Sequence, residues 1–199
     1  AVRANPTSLV GKVHLVEALL ATGIKVKKIF TPEHGYWGNR GAGKEVNNGT
    51  DKETGLPIIS LFGKKFKPAA EDLADVDTVV YDIQDVGVRF YTYISTLTCV
   101  MEACAENRKQ LLILDRPNPN GFYVDGPVLD MKYKSFVGML PIPIVYGMTA
   151  GELAIMIDGE KWLPHDLRCD FKVIRCKNYT HKTLYALPVR PSPALRTMK

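Results

Sequence analysis

Two short, continuously apolar segments constrain the fold of this chain more than any other feature. TVVYDI occupies residues 78–83, and QLLIL occupies Gln110–Leu114. Neither segment alternates apolar with polar side chains, which is typical of parallel strands buried on both faces. A long helix is predicted between them, at residues 91–107. Strands that alternate with helices predict an α/β fold with a Rossmann-like parallel sheet and helices on both faces.

The remaining segments continue this alternation. Residues 1–8, AVRANPTS, have the character of a strand end that runs into a turn. Further strands are predicted at residues 25–31, 56–62, 123–129, 142–146 and 171–175, and further helices at residues 9–22, 68–73 and 149–157. Thr149 and Glu152 are spaced as a capping box, which marks the start of the last of these helices.

We divide the chain into two parts at residue 160. Residues 1–160 are expected to form a Rossmann-like catalytic domain. Residues 161–199 are expected to begin a smaller C-terminal domain that is truncated here. Within them, the proline-rich stretch ALPVRPSPAL at residues 186–195 is interpreted as a linker or an extended crossing.

Composition excludes several classes of protein. Hydrophobic residues make up 46% of the chain and charged residues 24%, as in ordinary globular proteins, and no apolar run is long enough to span a membrane. The net charge is +5, but residues 160–199 alone carry nine Lys and Arg against three Asp and Glu. Because this basic excess lies at one end of the chain and does not spread over a fold face with aromatic side chains, no nucleic-acid partner is expected.

The cysteines and acidic residues predict no cofactor. None of the four cysteines belongs to a CxxC pair, and the Asp and His residues are too scattered for a metal site. The glycine-rich loop GYWGNRGAGKEV matches neither GxxxxGKS/T nor a dinucleotide-binding GxGxxG in its strand–helix context. We therefore expect neither a bound metal nor a cofactor.

Candidate functional residues lie in the loops that follow three predicted strands. Ligands of an open parallel sheet bind beyond the carboxyl ends of its strands, so these loops should open on one edge. The residues are Glu33 and His34 in the first loop, Asp82, Gln84, Asp85 and Arg89 in the second, and Asp115, Arg116, Asn118 and Asn120 in the third.

Each of these residues also has a structural interpretation. Asp82 or Asp85 could cap the following helix, and Arg116 could pair with a neighbouring Asp and brace its loop. Glu33 and His34 could hold their own loop together through backbone hydrogen bonds. The convergence of three such loops on one edge favours a functional site over these alternatives.

Carboxylates close to aromatic side chains suit sugar chemistry. Glu33, Asp82, Asp85 and Glu152 are the candidate carboxylates, and Trp37, Tyr91 and Tyr93 are candidate stacking platforms. In glycoside hydrolysis one acid protonates the leaving oxygen, while a second carboxylate attacks the sugar or activates water or the substrate's amide. The residues alone suggest this chemistry without deciding it.

A set of long motifs resembles the family of NamZ-type exo-β-N-acetylmuramidases. The motifs are FTPEHGYWG, TGLPIISLFG, DTVVYDIQDVGVRFYTYISTL, LILDRPNPNG, VDGPVLD, SFVGMLPIPIVYGMTAGELA and NYTHKTLY. They cover nearly the whole chain from residue 5 onward. The resemblance implies a Rossmann-like N-terminal domain, a smaller C-terminal domain, and an active site in the cleft near their junction.

The resemblance also implies roles for particular residues. Glu33 of the EHG motif is expected to be the general acid or base, with Asp85 as the second catalytic carboxylate. The expected substrate-binding residues are His34, Asp82, Gln84, Arg89, Tyr93, Arg116, Asn118 and Tyr146. Arg116 suits the lactyl carboxylate of muramic acid through a bidentate pair. Tyr146 stands in VYGMT where many relatives carry histidine, so any role that requires an imidazole is lost or reassigned.

The resemblance implies a glycoside hydrolase that releases N-acetylmuramic acid from the non-reducing end of peptidoglycan fragments, located outside the cytoplasm. The alternative from another class is a non-catalytic binder of cell-wall saccharides, which would keep its affinity when Glu33 is changed to Gln. A nucleotide-binding Rossmann domain is a third, weaker hypothesis, because the phosphate loop is missing.

Overall fold

The computed structural model describes residues 1–190, and these form a seven-stranded, mostly parallel sheet. The described residues contain nine strands, which are β1 Val2–Ala4, β2 Leu9–Val10, β3 Val13–His14, β4 Ile29–Thr31, β5 Gly49–Thr50, β6 Pro57–Ser60, β7 Thr78–Asp82, β8 Gln110–Leu114 and β9 Phe171–Ile174. Strands β2 and β3 pair separately, and the other seven form the main sheet. Their order across the sheet is β5-β6-β4-β1-β7-β8-β9, and only β5 is antiparallel to its neighbour. The predicted parallel sheet is confirmed.

Helices pack on both faces of this sheet. They are α1 Leu15–Ala21, α2 Ala70–Leu73, α3 Tyr93–Glu106 and α4 Ala150–Gly159. On one face, Val2 of β1 belongs to a core cluster with Val16 of α1. On the other face, Leu97 of α3 and Leu153 of α4 share a larger cluster with the inward side chains of β7 and β8. Burial of these apolar side chains is the main force that holds the layers together.

One residue of the central strand breaks this apolar pattern. Arg3 lies between Phe30 of β4 and Tyr81 of β7 in the register of the sheet, and it is 0% exposed. None of its three guanidinium nitrogens has a hydrogen-bond partner among residues 1–190. Burial lowers the pKa of Arg3 to about 9. A buried charge without a partner costs free energy, so Arg3 destabilises the sheet centre.

The predicted helix at residues 9–22 is wrong in its first half. Strands β2 and β3 pair there as a small antiparallel hairpin, and Gly11 has a φ of +64° in the turn between them. Glycine reaches that conformation without a steric penalty, and glycine at the first central position favours a two-residue hairpin turn. The helix begins only at Leu15, where the ring of His14 accepts a hydrogen bond from the Val16 backbone N–H.

The predicted strands at residues 123–129 and 142–146 are also wrong. Only isolated bridges form there, and Val145 bridges both Val88 and Asp125. Pro127, Pro141 and Pro143 lack the backbone N–H that a ladder needs, so the segment forms a long loop instead of a strand pair.

The sheet continues beyond residue 160, because β9 pairs in parallel with β8. The domain division at that residue stays a prediction. The second half of the proline-rich stretch 186–195 lies outside the described residues. Within residues 1–190, no helix is long and apolar enough to cross a membrane. The four cysteines carry free thiols, and Cys99 and Cys104 are buried on α3.

Candidate functional site

The loops after β1, β4, β7 and β8 leave the sheet at the same carboxyl edge, because these four strands are mutually parallel. The three loops chosen from the sequence therefore do converge. The loop after β1, with the sequence NPTS, joins them and was not among the candidates.

Glu33 is half-buried at this edge, and both of its carboxylate oxygens are hydrogen-bonded. Its Oε1 accepts from the backbone N–H of Gly43 at 2.8 Å, and its Oε2 accepts from the Thr92 hydroxyl at 2.9 Å. The first bond closes the glycine-rich loop, as the structural interpretation expects. The second ties the loop to the residue before α3. Glu33 is therefore held in a defined position while part of it stays accessible.

His34 and Trp37 differ in their exposure. His34 is buried in the left-handed conformation, with a φ of +70°, and its Nδ1 lies 2.9 Å from the Arg40 carbonyl oxygen. That contact stabilises the loop. Trp37 is 46% exposed, with its ring 4.6 Å from that of Tyr36. A fixed, exposed indole ring is suited to stacking on the apolar face of a sugar.

Asp82 and Arg116 form a buried bidentate ion pair. The Arg116 Nε donates to Asp82 Oδ1 at 2.6 Å, and its Nη2 donates to Oδ2 at 2.9 Å. Nη2 also points to the Leu9 carbonyl oxygen at 3.3 Å. Burial raises the pKa of Asp82, and the Arg116 pair offsets only part of that effect. The guanidinium fork is thus engaged inside the protein, and the substrate contact predicted for Arg116 stays a prediction.

Asp85 and Tyr146 meet although 61 residues separate them. The Tyr146 hydroxyl donates to Asp85 Oδ2, which also accepts from the backbone N–H of Gly87 at 2.7 Å. The other oxygen, Oδ1, is buried and has no hydrogen-bond partner in the described part of the chain. Burial raises the pKa of Asp85 to about 6, against the opposing effect of the bonds from Tyr146 and Gly87. A carboxyl group that exchanges a proton near neutral pH is a candidate for acid–base chemistry.

Gln84 connects the backbone of Asp85 to the neighbouring loops. Its Nε2 donates to the carbonyl oxygens of Asp85 at 2.7 Å and Pro117 at 2.8 Å. Its backbone N–H donates to the Thr7 hydroxyl at 3.0 Å. Thr7 and its neighbour Ser8, which bonds the Asp82 carbonyl oxygen, show that the loop after β1 braces the edge.

Tyr93 is buried beneath the edge at the start of α3. Its ring lies 4.8 Å from that of Tyr91, and burial raises its pKa to about 12. Its backbone carbonyl accepts from the Tyr81 hydroxyl at 3.0 Å. Tyr93 is 3% exposed, so it supports the edge from below. The direct sugar contact predicted for it stays a prediction.

Asn118 and Arg89 hold loops in place. The Asn118 Nδ2 donates to the Met148 carbonyl oxygen at 2.8 Å, and its Oδ1 accepts from the Asn120 backbone N–H at 2.8 Å. The Arg89 Nη1 donates to the carbonyl oxygens of Pro127 and Ile142. These bonds fasten the long loop that replaces the two predicted strands. Substrate contacts of Asn118 and Arg89 stay predictions.

Glu152 has the structural role expected of it. Its Oε2 accepts from the Thr149 backbone N–H, and the Thr149 hydroxyl accepts from the Glu152 backbone N–H, which confirms the capping box. The carboxylate also pairs with His181 Nε2 at 2.9 Å.

The described residues contain no metal cage: within residues 1–190, no group of three or more His, Cys, Asp or Glu side chains could hold a metal ion. The edge instead presents the partly accessible carboxylate of Glu33 together with the buried carboxyl groups of Asp82 and Asp85. Sequence reasoning missed Thr92, the hydroxyl partner of Glu33, although its place just before α3 follows from the same post-strand rule.

Comparison with known proteins shows the family to which the chain belongs. The family described as "Exo-beta-N-acetylmuramidase NamZ, N-terminal" matches residues 1–199. A curated relative, the peptidoglycan β-N-acetylmuramidase NamZ of Bacillus subtilis (strain 168), is 45% identical over 181 residues, which is 88% of this chain and 43% of the relative.

Two solved structures share the fold. Both are DUF1343 family proteins from Bacteroides fragilis NCTC 9343. One superposes with a TM-score of 0.88 at 54% identity and covers 98% of this chain and 51% of its own. The other has a TM-score of 0.87 at 39% identity, with coverages of 98% and 50%. The chain therefore spans about half the length of the relatives it matches.

Proposed function

We propose that this chain, which belongs to the NamZ exo-β-N-acetylmuramidase family, carries active-site residues of an exo-acting glycoside hydrolase at the carboxyl edge of its sheet. The substrate is a peptidoglycan fragment, and the product is N-acetylmuramic acid released from the non-reducing end. The protein acts in cell-wall turnover, outside the cytoplasm.

One observation carries this proposal: two carboxyl groups lie at the same sheet edge in different environments. Glu33 is partly accessible and held by Gly43 and Thr92. Asp85 is buried, and its pKa is raised to about 6. Glycoside hydrolysis uses a pair of carboxyl groups, one of which acts as acid or base at the glycosidic oxygen.

Glu33 is the group that meets the substrate. As general acid it gives its proton to the glycosidic oxygen while the bond to the anomeric carbon breaks. Water supplies the hydroxyl that the anomeric carbon gains and the proton that returns to Glu33. Asp85 is the second carboxyl group, and the hydroxyl of Tyr146 controls its proton. The exposed ring of Trp37 lies in the loop that carries Glu33 and packs against the sugar face.

The experiment offers para-nitrophenyl β-N-acetylmuramide and the corresponding N-acetylglucosaminide to the purified protein. We expect nitrophenol release from the muramide alone, and release of N-acetylmuramic acid from the muramic acid–glucosamine disaccharide. Equal release from both glycosides would contradict the assigned substrate. A folded protein that binds the muramide without releasing sugar would instead support the saccharide-binding alternative.

A further inference from the structure

A tight turn presents a lysine to a cavity that Tyr146 also lines. The turn spans residues 180–183, where the Thr183 backbone N–H donates to the Thr180 carbonyl oxygen at 2.9 Å. The Thr180 backbone N–H also donates to the Thr183 hydroxyl at 3.0 Å. His181 and Lys182 occupy the two central positions. The turn belongs to the motif NYTHKTLY, to which the site described above gives no role.

The turn is anchored on the loop that follows β8. The Tyr179 hydroxyl lies 3.3 Å from both the backbone nitrogen and the carbonyl oxygen of Asn118. His181 is held by the Glu152 carboxylate. Two separate contacts therefore fix the segment over the carboxyl edge of the sheet.

Lys182 is the uncompensated charge of this turn. The positive charge of a protonated His181 is balanced by Glu152. Within residues 1–190, Lys182 itself forms no ion pair. Its side chain is exposed and lines a cavity of about 490 Å³.

The cavity combines this cation with aromatic surface and with the catalytic edge. Phe122 and Tyr123 line it, with ring centroids 4.7 Å apart, and they are 56% and 39% exposed. Tyr146 lines it as well, and its hydroxyl bonds Asp85. The cavity therefore shares Tyr146 with the buried Asp85 carboxyl group of the proposed active site.

Two arginines at this edge are already engaged. Arg116 uses its Nε and Nη2 on Asp82, and Arg89 uses its Nη1 on two carbonyl oxygens. Among residues 1–190, Lys182 is the one lysine or arginine that lines the cavity, so a ligand carboxylate bound there would find its cation in Lys182. Aromatic rings beside a cation are suited to a sugar that carries a carboxylate, because the rings pack on apolar C–H groups while the ammonium pairs with the acid.

We propose that this cavity is the specificity subsite for the acid-bearing sugar, and that Lys182 binds its lactyl carboxylate. The inference rests on the proposed function, since it names the part of the same site that distinguishes N-acetylmuramic acid from N-acetylglucosamine. Phe122 and Tyr123 contact the lactyl methyl group and the sugar face.

The test measures binding of free N-acetylmuramic acid and N-acetylglucosamine by calorimetry or NMR titration. Lys182→Met should weaken binding of the acid sugar by about tenfold or more and leave the neutral sugar unchanged. Lys182→Arg should retain most of the affinity. Lys177→Met, an exposed lysine outside the cavity, is the matched control and should behave as wild type. Added salt should weaken only the wild-type preference for the acid sugar.

Measuring sugar binding separately from sugar release distinguishes a failure of this inference from a failure of the proposed function. If Lys182 sets the preference for the acid sugar in a protein that releases no product, the hydrolase proposal fails and the subsite stands. If the protein hydrolyses muramides and Lys182→Met leaves the affinity and KM unchanged, the subsite is refuted and the hydrolase stands. Failure of the wild type to prefer the acid sugar over the neutral one also overturns the subsite.

Discussion

Replacing Asp85 by Asn should stabilise the protein at neutral pH. In the folded state burial raises the pKa of Asp85 from 3.8 to about 6. The folded protein therefore binds more protons than the unfolded chain between about pH 4 and pH 6, so stability falls as pH rises through that window. Above about pH 6 Asp85 is ionised in both states, and its burial then lowers the free energy of unfolding by its full amount. The pKa difference corresponds to about 3 kcal/mol.

The structure also sets the opposing cost of the substitution. An asparagine keeps an oxygen for the Tyr146 hydroxyl and the Gly87 N–H, and its amide nitrogen takes the place of Oδ1, which has no partner. An unpartnered buried amide costs about 1 kcal/mol. The net gain at pH 7 is about 2 kcal/mol, or about 4–8 °C in Tm for a chain of this size. Below about pH 4 the gain should disappear, because Asp85 is then protonated in both states.

Urea unfolding followed by circular dichroism from pH 4 to pH 8 measures this difference. Burial also raises the pKa of Asp82 and Asp115, but these groups are the same in both proteins and cancel. Asp170→Asn, at an exposed position, should follow the wild-type curve. The reasoning would be refuted if the free energy of unfolding of Asp85→Asn varied with pH in the same way as that of wild type. A loss of stability at pH 7 would refute it as well.

Two further substitutions test the buried charges. Arg3→Met should raise the free energy of unfolding by about 1–4 kcal/mol, since it removes an unpartnered buried charge. A loss of stability in urea unfolding would mean that the guanidinium has partners. Arg116→Ala should cost about 3–5 kcal/mol by leaving the buried Asp82 unpaired, and the double variant Asp82→Leu/Arg116→Met should recover most of that loss. Lys132→Ala, which breaks an exposed pair with Asp130, should leave the unfolding midpoint unchanged. Equal losses of unfolding free energy in Arg116→Ala and Lys132→Ala would contradict the role of burial.

The sheet was predictable from the sequence because burial on both faces produces continuous apolar runs. Such runs mark β7 and β8, and the post-strand rule then brings Glu33, Asp85 and Arg116 to one edge. The rule acts through topology alone, so it predicts which loops converge without deciding which side chains meet.

The side-chain pairs were not predictable. Asp82 meets Arg116 across 34 residues, and Asp85 meets Tyr146 across 61. Such contacts depend on how adjacent strands are registered and how long loops return, and local patterns carry no information about either. The hairpin at β2 and β3 was missed for a local reason: its apolar side chains also fit a helical period, and only Gly11 marks the turn.

The most direct test of the proposed catalytic edge compares Glu33→Gln with wild type in the release of N-acetylmuramic acid. The matched control is Glu45→Gln, an exposed carboxylate that follows the same glycine-rich loop. We predict that Glu33→Gln lowers kcat by about 10²–10⁴-fold while the acid sugar still binds, because the amide cannot donate the catalytic proton. Glu45→Gln should retain wild-type activity. A Glu33→Gln protein that releases the sugar at the wild-type rate would contradict the account.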